Sequence, residues 1–187
     1  VLVVAIFCLA LAVRIAYHVE YDARYGVDTT RLSQLDSNTF DLGARAIVAG
    51  DVLQRYVYYP YHWWNEAVAP RAEWESWYHP PTFHQTPLYV YFVALLYAIA
   101  GCEPSIVTWI QAIMGALVAV LVYAIGRRSF GRGVAAIAAI WTALLGSLFF
   151  YDVFLLRESL VGFLFLVTAA CFDRALRRDA RLAWWVA

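Results

Sequence analysis

The sequence predicts an all-α fold: a polytopic membrane helical bundle with surface (juxtamembrane) helices in a long first outer loop. Three observations predict it. First, 63% of the 187 residues are apolar and only 15% are charged, against about 45–50% and about 25% in soluble domains. Second, four apolar segments, 1–17, 105–125, 134–151 and 153–172, approach the roughly 20 residues that cross a bilayer. Third, Arg clusters separate the later segments in a pattern that sets orientation. A mean hydropathy of +0.61 agrees.

The same composition excludes a soluble enzyme, a disordered tail and a nucleic-acid-binding domain. The net charge is zero, so nothing draws the chain as a whole to polyanions. All 14 basic residues are Arg, which excludes chemistry that needs a Lys amine. Cys8, Cys102 and Cys171 lie in or beside apolar runs without metal or redox spacing, and read as small buried residues. Val1 begins inside an apolar run, and the chain stops at Leu182-Ala-Trp-Trp-Val-Ala187. The expectation is an N-terminal piece of a longer protein, truncated at both ends and inactive alone. Segment 1–17 is a first span, not a signal peptide, since Arg14 stands near its far end and no small-residue cleavage site follows.

Charge sets the parity of the spans. The stretch 126–133 carries Arg127, Arg128 and Arg132 and no acid; 173–181 carries Arg174, Arg177, Arg178 and Arg181 against two acids. Both are expected on the cytoplasmic side. The loop 18–104 is then outside. Its stretch 87–100 is 14 residues long and opens on Pro87, so it is expected to lie on the outer surface or dip in and return. Within 37–49, Phe40, Ala44, Ile47 and Val48 share one helical face and Asp41 and Arg45 the other, predicting a short amphipathic helix on the membrane. Ser37 or Asp36 caps it and Gly50 stops it. An aromatic tract from Tyr56 to Tyr78 follows, read as an interfacial belt or as a stacking surface for a sugar or lipid headgroup.

Ionisable groups at membrane depth are functional suspects, and here they gather toward the outer side: Arg14, Asp36, His84 with Gln85, Asp152, Arg157 and Glu158. A carboxylate can accept a proton from an acceptor hydroxyl, while Arg and His hold a lipid-linked phosphate. Plainer alternatives stand beside each. Asp36 is a helix cap, Arg157 and Glu158 form a structural ion pair, Arg14 snorkels to the interface, and His84 is an ordinary interfacial histidine. His62, Glu66, His79 and His84 match no metal-ligand spacing, so no metal is expected.

Three stretches carry a resemblance. They are Leu35-Asp-Ser-Asn-Thr-Phe-Asp-Leu-Gly-Ala-Arg-Ala-Ile-Val-Ala-Gly-Asp51; Thr86-Pro-Leu-Tyr89 leading to Gly101; and Gln111 through Gly126-Arg-Arg-Ser-Phe-Gly131, then Tyr151 to Leu160 with Leu-Leu-Arg-Glu. In order and spacing they resemble the N-terminal part of the GT-C superfamily of polyprenyl-phosphate-sugar-dependent glycosyltransferases. The nearest group is family 39, with the protein O-mannosyltransferases and the aminoarabinose transferase of lipid A. The resemblance implies an inverting sugar transfer from a polyprenyl phosphate to an acceptor on the outer side, in an integral membrane protein of a bacterial inner membrane type. Asp36 would be the catalytic base and Glu158 a second functional acid. Substrate contacts would come from His84, Arg157, Arg14, Gln85 and Tyr89, with no cofactor; membrane lipid is the surrounding partner and the acceptor stays open. Two departures stand out. Many relatives have Asp-Glu where this chain has Asp36-Ser37. The Lys of the aminoarabinose branch is absent, with Gln85-Thr86 in its place and His84 as the stand-in.

Rival readings are a transporter, a non-catalytic membrane scaffold and a lipid-modifying enzyme. Segments 105–125 and 134–151 hold no charge, unlike the midplane sites of transporters. Acyl transfer lacks a His-x-x-x-x-Asp pair.

Overall fold

The computed structural model describes residues 1–26, 36–55, 65–77 and 85–178. Those residues form α1 (Leu2–Tyr25), α2 (Asp36–Val48), α3 (Asn65–Val68), α4 (Arg71–Trp77), α5 (Pro87–Ala100), α6 (Pro104–Ser129), α7 (Gly131–Leu144), α8 (Gly146–Phe150), a 3-10 turn (Tyr151–Val153) and α9 (Glu158–Arg178). No strand occurs among the described residues. The protein is all-α. Two helices there, α1 and α6, are long and apolar enough to cross a membrane; α7 with Gly146–Val153 is a third if that bent pair counts as one span.

Helix lengths differ from the apolar segments for a physical reason. Hydropathy marks the part of a helix that suits lipid, whereas backbone hydrogen bonding continues until a breaker intervenes. So α1 runs on to Tyr25 and α6 to Ser129, placing Arg127 and Arg128 in its last turn, where cations suit the helix dipole. Segment 134–151 is not one straight helix. It bends by 44° at Leu145, whose backbone is extended, beside Gly146, a weak helix former. Residues 154–157 are non-helical, and α9 starts at Glu158.

The chain divides into two compact units. One holds Val1–Arg24, Trp109–Val153 and the residues from Arg157 onward; the other holds Tyr25–Thr108 and Phe154–Leu156.

In the first unit, Ile6 and Ala10 of α1, Ala116, Ala119 and Tyr123 of α6, and Ala135, Ala139 and Ala143 of α7 form one buried cluster. Alanines every fourth residue let helix backbones approach closely, which is how helices associate where lipid offers no hydrophobic drive. Ring contacts tie α1 to its neighbours at one end: Tyr17 lies 5.0 Å from Phe149, and His18 stacks on Trp109 at 4.6 Å. At the other end, Arg128 Nη1 reaches Asp173 Oδ2 at 3.0 Å. The last turn of α6 and the later turns of α9 therefore share a level.

In the second unit, α2 packs on α5. Phe40 meets Tyr89 edge-on at 4.7 Å. The Tyr97 hydroxyl donates to Asp41 Oδ1 at 2.5 Å, Arg45 Nε donates to Asp41 Oδ2 at 2.9 Å, and Arg45 Nη2 donates to the Cys102 carbonyl at 2.8 Å. Of the polar face of α2, Arg45 is exposed but Asp41 is not turned to solvent as the spacing suggests. Asp41 is 7% exposed, because α5 offers it a phenol. Gly50 ends α2 at φ +107°, with Asp51 N–H on the Ala46 carbonyl and Gly50 N–H on that of Ile47, the paired bonds of a Schellman stop.

A buried ion pair at the mouth of a small cavity

Arg14 is the strongest departure from a plain apolar span in α1. It does not snorkel. The residue is 1% exposed, and its Nε lies 2.9 Å from Asp152 Oδ2, itself 1% exposed. A charge inside a bundle needs a partner, and here the partner stands 138 residues away. Asp152 is the middle residue of the 3-10 turn. Its other oxygen accepts from Ser159 Oγ at 2.6 Å, and its backbone carbonyl accepts from Gln111 Nε2 at 3.2 Å. Arg14 Nη1 donates to the Ala10 carbonyl at 3.1 Å, while Nη2 is buried with no hydrogen-bond partner.

The pair sits where α6 has no side chain. A Cβ on Gly115 would stand 2.4 Å from Arg14 Nε and 2.8 Å from Asp152 Oδ2. One turn along α1, His18 is buried, with Nδ1 3.2 Å from the Arg14 carbonyl and Nε2 unpartnered. Beside the pair lies a cavity of about 60 Å³, lined by Arg14, Gly115, Val118, Leu148, Tyr151, Asp152, Glu158, Ser159 and Gly162. That volume admits a few waters or a small polar group. Glu158 opens α9 and is exposed; Arg157, also exposed, precedes it and its carbonyl accepts from Val161 N–H.

Of the residues nominated from sequence, Arg14 and Glu158 meet at this cavity. Asp36, Gln85 and Tyr89 belong to the second unit. Asp36 is exposed at the first position of α2, where a carboxylate suits the helix dipole. Ser37 is not its cap: the Ser37 and Thr39 hydroxyls are buried without a hydrogen-bond partner. Gln85 is half-buried just before α5. Tyr89, expected at the substrate, is 1% exposed against Phe40. Its ring shapes the α2–α5 contact. Arg14 has its Nε occupied by Asp152. His84, with His62, His79 and most of the aromatic tract, lies outside the described residues. Among the described residues no group of three or more His, Cys, Asp or Glu could hold a metal.

Sequence reading named Asp152 among the ionisable suspects without giving it a partner or a role, and passed over Ser159. One signal was available: Asp152 interrupts an apolar run just as Arg14 does, and two opposite charges in apolar runs are candidates to pair. Nothing local marks Ser159 or Gly115.

An all-helical chain with membrane-length apolar helices and a buried, hydrogen-bonded ion pair is an integral membrane protein with a polar site inside its bundle. The family described as dolichyl-phosphate-mannose-protein mannosyltransferase matches residues 79–187. The chain belongs to that family, and so to the GT-C type of membrane glycosyltransferases. No curated protein and no solved structure matches the chain.

Proposed function

We propose that the protein transfers a sugar, with inversion, from a polyprenyl-phosphate donor to an acceptor on the outer face of a bacterial inner membrane. The observation that carries this reading is the family match over residues 79–187, a stretch that contains Asp152, Glu158 and Ser159 of the cavity. In this reaction an acceptor hydroxyl oxygen attacks the anomeric carbon. The bond from that carbon to the phosphate oxygen breaks, polyprenyl phosphate leaves, and the hydroxyl proton passes to a carboxylate. Asp36 is that base. Its exposed position at the start of α2 suits a group that must meet substrate. Glu158 holds the acceptor, and Arg157 with His84 contacts the phosphate.

The orientation follows from charge. The end of the first unit that holds the Arg128–Asp173 pair also carries Arg127 and Arg174, and cationic helix ends favour the cytoplasm. The Arg14–Asp152 end then faces outward.

The test supplies radiolabelled polyprenyl-phosphate sugars to membranes containing the full-length protein, as wild type or Asp36→Asn, at equal expression. Label leaving the lipid with the wild type alone supports both the activity and the base. Equal transfer by the variant removes Asp36 from its role. No turnover of any donor by either protein favours a scaffold or a transporter.

A further inference from the structure

We propose that Ser159 and Asp152, with Arg14 behind them, are positioning residues for Glu158, and that their cavity receives the acceptor side of the reaction. This rests on the reading of Glu158 given above. Two carboxylates line one cavity, and their surroundings give them different work. Asp152 is buried with both oxygens engaged, one by Arg14 Nε and one by Ser159 Oγ. Each of its oxygens already accepts a hydrogen bond inside the protein, and the residue is 1% exposed. Glu158 is exposed, and its neighbour in sequence is the residue that Asp152 holds. The 2.6 Å bond from Ser159 to Asp152 ties the first turn of α9 to a group that is itself held by Arg14 and the Gln111 amide.

The cavity is also kept open. Gly162 stands one turn beyond Glu158 on α9, and a Cβ there would meet nothing within 4 Å. A helix-interior glycine costs about 1 kcal/mol against alanine, and here no close contact requires it. Its lack of a side chain leaves room next to Glu158. Charge names the class of ligand. Arg14 and Asp152 cancel, and Glu158 remains, so the lining is net negative. A phosphate is disfavoured; a hydroxyl or a cationic group is favoured.

The experiment measures steady-state transfer in membranes by the full-length protein carrying Glu158→Gln, Ser159→Ala, Ser159→Thr or the double variant Glu158→Gln/Ser159→Ala, normalised to folded protein. Ser159→Ala is expected to lower kcat/KM for the acceptor about tenfold, the scale of one lost hydrogen bond to a charged group, with KM for the donor unchanged. Ser159→Thr, which keeps the hydroxyl, restores the rate. The double variant is no slower than Glu158→Gln, because coupled residues are not additive. A slow Glu158→Gln beside a fully active Ser159→Ala overturns the positioning role while the Glu158 reading survives. Additive losses, or a rise in donor KM, overturn it as well. A fully active Glu158→Gln removes the reading itself.

Discussion

Arg14 and Asp152, 138 residues apart, are joined by a 2.9 Å ion pair that excludes solvent from both side chains. The pair exists because α6 offers Gly115 at the crossing, where any Cβ would overlap the guanidinium.

Gly115→Ala is therefore expected to destabilise the protein despite alanine's better helix propensity. Overpacking costs about 1–3 kcal/mol, and displaced charges add to it. Gly133→Ala is the control, since nothing lies within 4 Å of a Cβ there. Thermal melting in detergent should fall for the first and hold or rise for the second.

Breaking the pair from one side should be worse than removing both sides. Asp152→Leu leaves a buried guanidinium without its counterion and is expected to cost about 3–5 kcal/mol, whereas Arg14→Met/Asp152→Leu should recover much of that loss. A double-mutant cycle on melting checks it. Single losses that simply add would mean that the pair is not energetically coupled.

In the second unit, Tyr97→Phe deletes the bond to Asp41 and should cost about 1 kcal/mol. The sign with pH can be worked out. Burial, and then the bond to Asp41, pushes the Tyr97 phenol well above its usual range. A raised folded value gives stability that is whole below the unfolded pKa of about 10 and fades as pH rises past it. The melting difference between wild type and Tyr97→Phe should be flat from about pH 7 to 9 and shrink above about 10.

Orientation can be read with cysteines in a background lacking Cys8, Cys102 and Cys171. Leu53→Cys and Arg132→Cys both replace exposed residues. A membrane-impermeant maleimide on intact cells should label the first and reach the second only after permeabilisation, as charge asymmetry requires. The reverse pattern would invert the proposed topology.

Much of the fold was legible because its causes are local. An apolar run beginning at Pro87 and closed by Gly101 is α5, since Pro suits a first turn and Gly a stop. Spacing located α2, and Gly50 ended it. The lining of the cavity was legible only in part. Arg14 and Glu158 were visible as charges in or beside apolar runs. The bond from Ser159 to Asp152 and the burial of Tyr89 against Phe40 were not visible, because a residue type does not say which face is covered.

By itself the sequence determined the all-α class and its membrane character, through hydropathy, helical spacing and turn residues, all of which act within a few residues along the chain. Only the tertiary structure decided that Arg14 is spent on Asp152, that Gly115 makes room for both, and that Asp41 is sealed against Tyr97. Those outcomes depend on which helix faces meet. In a low-dielectric interior a charge must find its counterion wherever the packing puts one.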